Sequence, residues 1–197
     1  MSSVFLVDPL VAIGSVKLYT EINRLLQGHF DKVSARMKPV SRIVVAFIPA
    51  VPAPTPFDLL IYFVPTEISI VSQFAGRPRN PLLDDGDGFT SIKTATANGV
   101  TTASAASEVY TKTLSAKVLA ALAFHEGMHN RLALGQAMHN KNGMAQATVD
   151  DTTTVTDENA NDMAAAFRTR VTQWPDGVSP LVARRIRRDN GDPLWYL

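Results

Sequence analysis

Apolar positions along the chain change period several times, and each change predicts an element. Residues 4–7, Val-Phe-Leu-Val, form a short apolar run closed by Asp8-Pro9, which predicts a first strand. From Val16 through Tyr19, Ile22, Leu25, Leu26 and Phe30 the spacing is three and four, which predicts an amphipathic helix ending before Pro39. Runs 42–48 and 58–64 are almost continuously apolar and of strand length, as strands buried on both faces are. Residues 68–74 alternate more like a strand with one exposed face. The first third is therefore expected to be a β-α-β-β-β lobe.

Residues 75–99 are rich in Gly, Pro, Asp and Asn and are expected to be a long surface loop. Its Asp84-Asp85-Gly86-Asp87-Gly88 segment has the look of a calcium loop but lacks the later ligands and the distant Glu, so a plain turn is expected. The Thr/Ser/Ala-rich segment 100–109 is expected to be an edge strand. Beyond residue 113, Leu114, Val118, Ala121, Leu122 and Leu132 fall on one helical stripe, and Leu119 and Ala123 make the opposite side apolar as well. That pattern predicts a central, buried helix, with Gly135 as its stop. Thr156 or Asp157 is placed to cap a further helix running through Ala164, Phe167 and Val171 to Pro175. Arg184, Arg185, Arg187 and Arg188 around Ile186 read as a solvated basic face.

Composition narrows the function more than the fold. The chain has 197 residues with 19 Lys+Arg against 18 Asp+Glu, a formal charge of +1, so nothing draws it toward nucleic acid or an anionic membrane. Pro49, Pro52, Pro54, Pro56 and Pro65, with Asp58 and Glu67, interrupt the most apolar stretch and exclude one membrane-spanning helix there. The opening MSSVFLVDPL has no basic segment before its apolar run, so the chain is expected to be cytoplasmic, or exported by a route needing no signal peptide. Cysteine is absent, which excludes disulfides, thiolate metal ligands and Cys nucleophiles together. Any metal must be held by His and carboxylates.

His125-Glu126-Gly127-Met128-His129 lies inside the predicted central helix. Residues four apart on a helix stand one turn above each other, so both imidazoles can reach one metal ion. Glu126 is turned about 100 degrees from His125, which sets its carboxylate beside the ion, as a base acting on a bound water rather than as a third ligand. A catalytic zinc site needs three protein donors and one open position. His29, on the first helix and without such company, reads as structural.

With this motif the chain resembles the zincin superfamily of metallopeptidases. The resemblance implies an α+β fold with an N-terminal mixed β-sheet and helices, a central HExxH helix and a small, mostly helical C-terminal lobe. The implied division is 1–134, an α/β subdomain including the active-site helix, and 135–197, which completes the metal site. It implies Zn2+ as cofactor and peptide-bond hydrolysis, of the endopeptidase kind, by a metal-activated water with Glu126 as general base. An edge strand before the helix would align the peptide, and 100–109 is the segment in that position.

Two candidates compete for the third ligand. In the metzincin-like reading Gly135 breaks the helix and His139 returns on an extended segment, with Met144 as the Met-turn residue; the spacing here is HExxHxxxxxGxxxH, longer than that family's. In the gluzincin-like reading Glu158 is the ligand and Asp162 orients a histidine; Asp150, Asp151 and Asp157 are further carboxylates in range of the chain. Tyr196 or Tyr110 would be the oxyanion donor. The expected partners are a peptide or protein substrate and, to restrain hydrolysis, an inhibitor or carrier protein; nucleic acid and membrane are not expected. The alternative function is a catalytically silent zincin-like metal-binding or structural module of a larger assembly.

Overall fold

A computed structural model describes residues 2–39, 41–49, 53–66, 69–76, 86–112 and 114–174. Asp84, Asp85, the arginine cluster at 184–188 and Tyr196 lie outside the described residues.

The chain forms a mixed sheet with helices, in the order β1 (Ser2–Val7), α1 (Val16–Ser34), β2 (Ile43–Phe47), β3 (Leu59–Val64), α2 (Val71–Ala75), β4 (Gly88–Ala97), β5 (Val100–Tyr110), α3 (Ala116–Leu132), α4 (Asp157–Ala166) and β6 (Val171–Gln173). Two 3-10 turns, Gln136–Asn140 and Gly143–Ala145, join α3 to α4. The strand order is β2-β1-β3-β5-β4, with β6 also paired to β5. Every pair is parallel except β4 with β5.

The near-continuous apolar run of β3 is explained by burial on both faces. Leu59, Ile61 and Phe63 join the core shared with α1 and α3, while Leu60, Tyr62 and Val64 pack with Val7, Ile70 and Tyr110 on the other face. From α1, Ile22, Leu26, Phe30 and Val33 are fully buried against the sheet. Each such side chain contributes about 1.5–3 kcal/mol on leaving water. Helix α3 is buried on nearly every side, and Gly127 lets it approach β3: a β-carbon there would lie 2.9 Å from Leu59 Cδ2. Residues 135–174 share this core through Met138, Met144, Val155, Met163 and Phe167. No helix among the described residues is long and apolar enough to cross a membrane.

Five expectations need correction. Of the strand expected over 68–74, residue 68 lies outside the described residues and 69–74 form none; the chain turns into α2, because the buried Glu108 carboxylate accepts the Ile70 and Val71 amides at 2.6 and 3.0 Å. The supposed loop 75–99 contains β4, joined to β5 through Asn98 and Gly99 at φ 51 and 74, the left-handed pair that a tight hairpin requires. Consequently 100–109 is not the edge strand: β5 lies inside the sheet and β4 takes the edge. Helix α3 ends at Leu132, with Ala133 rather than Gly135 in the left-handed conformation (φ 50). Helix α4 stops at Ala166, and Val171 belongs to β6.

Candidate metal centre

His125 and His129 stand one turn apart on α3, with their Nε2 atoms 3.2 Å apart. The 3-10 turn that follows brings His139 Nε2 to 3.1 Å from His129 Nε2. Ligand atoms of all three rings lie within 4.8 Å of one another. The rings of His125 and His139 are nearly parallel, at 18°, and that of His129 is edge-on to both.

Each ring is oriented by its other nitrogen. His125 Nδ1 lies 2.8 Å from the Met144 carbonyl, His129 Nδ1 2.7 Å from the Leu134 carbonyl and His139 Nδ1 2.9 Å from Gln136 Oε1. A carbonyl oxygen only accepts, so each Nδ1 carries the proton and each Nε2 presents a lone pair to the shared space. Burial pushes His125 down to about 4, against the Met144 carbonyl that favours its charged form, and its two histidine neighbours lower it further. Burial also lowers His129. Neutral lone pairs at this spacing repel one another, and a cation among them removes the repulsion. Three imidazole donors with access from a cleft fit a borderline cation such as zinc.

The left-handed turn at Ala133 ends the helix, and the Ala133 and Leu134 amides donate to the Asn130 and His129 carbonyls. The return to His139 is therefore a 3-10 turn and not the expected extended segment. The Met-turn candidate Met144 is fully buried, and its carbonyl orients His125. Asn159 fixes that turn by accepting the Met144 amide at 2.9 Å and donating to the Asn142 carbonyl at 3.0 Å. Glu158 and Asp162, the alternative ligand pair, are held instead by Lys141. Asp157 pairs with Arg36, and Asp150 accepts from Thr152 and Thr153 in its own turn. Neither they nor the exposed Asp151 belong to the histidine group.

Glu126 lines the same cleft, of about 540 Å³, as the three histidines. Its Oε2 accepts the Thr90 hydroxyl at 2.6 Å. Burial pushes its carboxyl up to about 8; the Thr90 hydrogen bond opposes this and Glu108 adds to it. Gly88, Phe89 and Thr90 of β4 form one wall, with Leu122, Gln136 and Val149 among the other lining residues. No second strand pairs with the outer side of β4 among the described residues. Tyr110, offered as an oxyanion donor, is buried on the other face of the sheet, where its hydroxyl donates to Glu108 Oε1 at 2.7 Å.

Gly88, Thr90 and Asn159 escaped sequence reasoning because their roles rest on the β4–β5 register and on a turn remote from the motif. Arg131 left a signal, as a charged residue on a helix apolar all round. No known protein family, curated protein or solved structure matches the chain.

Proposed function

We propose that the protein is a zinc-dependent peptidase of the zincin type. The observation that carries this reading is the convergence of the His125, His129 and His139 Nε2 atoms in the cleft that also holds Glu126. Five of the six strands of the mixed sheet precede α3, which supports the zincin resemblance.

His125, His129 and His139 would hold the zinc, which would supply Lewis acidity toward a water and a substrate carbonyl. The side of β4 that pairs with no strand among the described residues is where an extended peptide would pair by β-augmentation, as that resemblance implies for an edge strand before the helix. Glu126 takes a proton from the water as its oxygen attacks the scissile carbon, then gives that proton to the amine as the C–N bond breaks. The neutral Nδ1–H tautomers of the three histidines hold their rings toward one point throughout.

The test combines metal analysis of the purified protein with digestion of a peptide library by wild type and Glu126→Gln. Zinc at one per chain in both, with cleavage only by wild type, is the expected result. Zinc without cleavage in wild type would leave the silent metal-binding module, and a folded protein that takes no zinc would remove both.

A further inference from the structure

A line of polar side chains runs from the wall of the cleft into the core. Glu126 Oε2 is 2.6 Å from Thr90 Oγ1, Thr90 Oγ1 is 2.9 Å from Ser107 Oγ, and Ser107 Oγ is 2.9 Å from Asn130 Nδ2. Asn130 and Gln173 then exchange two bonds, Nδ2 to Oε1 at 3.1 Å and Nε2 to Oδ1 at 3.0 Å. Gln173 Oε1 also accepts the Leu60 amide, which fixes the orientation of its amide group. The residues come from β4, β5, α3 and β6, and Thr90 faces Ser107 directly in the β4–β5 register. Ser107, Asn130 and Gln173 are 0, 0 and 2 % exposed, so water does not compete for their bonds.

The amide and carboxylate ends limit how these hydroxyls can point. An amide NH2 only donates, so Ser107 Oγ accepts from Asn130. In the ionised state in which Glu126 acts as a base its carboxylate only accepts, and Oε2 at 2.6 Å is nearer to the Thr90 hydroxyl than Ser107 Oγ at 2.9 Å or the Glu126 carbonyl at 3.2 Å, so the single Thr90 proton goes to Oε2. The Ser107 hydroxyl, which accepts from Asn130, is placed to donate to the Glu126 carbonyl, 3.5 Å away.

We propose that Thr90 is a positioning residue for Glu126, its hydroxyl donating to the carboxylate and held in place beside the buried network of Ser107, Asn130 and Gln173. Oε2 is committed to Thr90, so Oε1, the oxygen nearest Gly88, is the atom that takes and returns the proton. The catalytic consequence rests on the peptidase reading, whereas the hydrogen bonds do not.

The test uses the full chain loaded with zinc, 13C-labelled at glutamate Cδ, as wild type, Thr90→Val, Thr90→Ser and Ser107→Ala; the Glu126 resonance is assigned by its loss in Glu126→Gln. Expected are a displaced Glu126 resonance in Thr90→Val, its return in Thr90→Ser, and a smaller displacement in Ser107→Ala, with zinc content unchanged. On a cleaved peptide, kcat falls about 10- to 100-fold in Thr90→Val and recovers in Thr90→Ser, while KM stays within about twofold. An unmoved resonance in both Thr90→Val and Ser107→Ala overturns the proposal, as does wild-type kcat in Thr90→Val. Should zinc-loaded wild type cleave no peptide, the peptidase reading fails, and the resonance alone decides whether Thr90 orients Glu126.

Discussion

The α-carbon of Gly88 faces the Glu126 carboxyl so closely that a β-carbon there would lie 2.5 Å from Oε1 and 2.8 Å from Cγ. The groups in the way belong to a flexible side chain, so a methyl group at 88 is accommodated by turning the carboxyl aside, at little cost to the sheet. Gly88→Ala is expected to fold and bind zinc as wild type does, with kcat/KM lowered about 100-fold, the effect of a 1 Å misplacement. Thermal melts and zinc content measured beside the kinetics check this. Wild-type kinetics would show that Glu126 needs no room at 88.

Much of the architecture is written in side-chain periodicity. Strands β1 to β3 and helices α1 and α3 lie where apolar runs or three-and-four spacings predict them, because burial on two faces or on one stripe leaves that mark. The β4–β5 hairpin left a weaker one: the outer residues Thr94, Ala95, Thr96, Thr101 and Thr102 are exposed and small, so no apolar alternation announces a strand. Asn98-Gly99 was the readable sign of a hairpin there. His125, Glu126 and His129 were legible because a helix fixes their geometry locally. His139 could only be ranked against Glu158, since that choice turns on where α3 stops, and Ala133 stops it without glycine.

On the proposed reading, His125, His129 and His139 would make zinc a clamp on α3 and the turn after it, and the two readings of the third donor separate under substitution. Zinc at about 100 times its dissociation constant is expected to add about 2.7 kcal/mol of stability, removable by chelator. His139→Ala should weaken zinc binding by more than about 100-fold, beyond what loss of a supporting partner costs. Glu158→Gln and Asp162→Asn should leave it unchanged, because both side chains are held by Lys141. Competition with a chromophoric chelator measures all three. Weakening by Glu158→Gln equal to that by His139→Ala would contradict the assignment.

His29 gives the fold a pH dependence separate from the metal. Its ring packs edge-on to Phe124, and burial, helped by Lys32, pushes it down to about 4 from 6.5. Between those values the unfolded chain binds a proton that the folded chain refuses, so stability rises with pH. The contribution of neutral His29 is complete above about pH 6.5 and is lost as pH falls toward 4. At about 1.4 kcal/mol per pH unit, the loss is about 2 kcal/mol on going from pH 7.5 to pH 5. Urea unfolding of wild type and His29→Gln at both values checks it, and the variant should show the smaller drop. An equal drop in both would place the acid sensitivity elsewhere.

Arg131, two residues after the second motif histidine, is 1 % exposed. Its Nη1 donates to the Pro56 and Asp58 carbonyls, both at 3.1 Å, and its Nη2 to those of Ala166 at 3.0 Å and Thr169 at 2.6 Å. The guanidinium also lies 4.9 Å over the Phe167 ring. One planar group thus ties α3 to the start of β3 and to the end of α4, where the chain turns toward β6. Burial lowers its pKa only to about 10, so it stays charged at neutral pH. Arg131→Met takes a donor from the Asp58 and Thr169 carbonyls, while those of Pro56 and Ala166 keep the Val171 amide and the Thr169 amide and hydroxyl, and it is expected to cost about 2–5 kcal/mol. Arg131→Lys keeps the charge but lacks the fork, so it cannot serve both pairs of carbonyls and should lose a similar amount. Urea unfolding gives the size of the loss, and amide exchange at 166–171 shows whether the α4–β6 connection opens first. A lysine variant as stable as wild type would mean that charge at this position, rather than the planar fork, holds the two ends together.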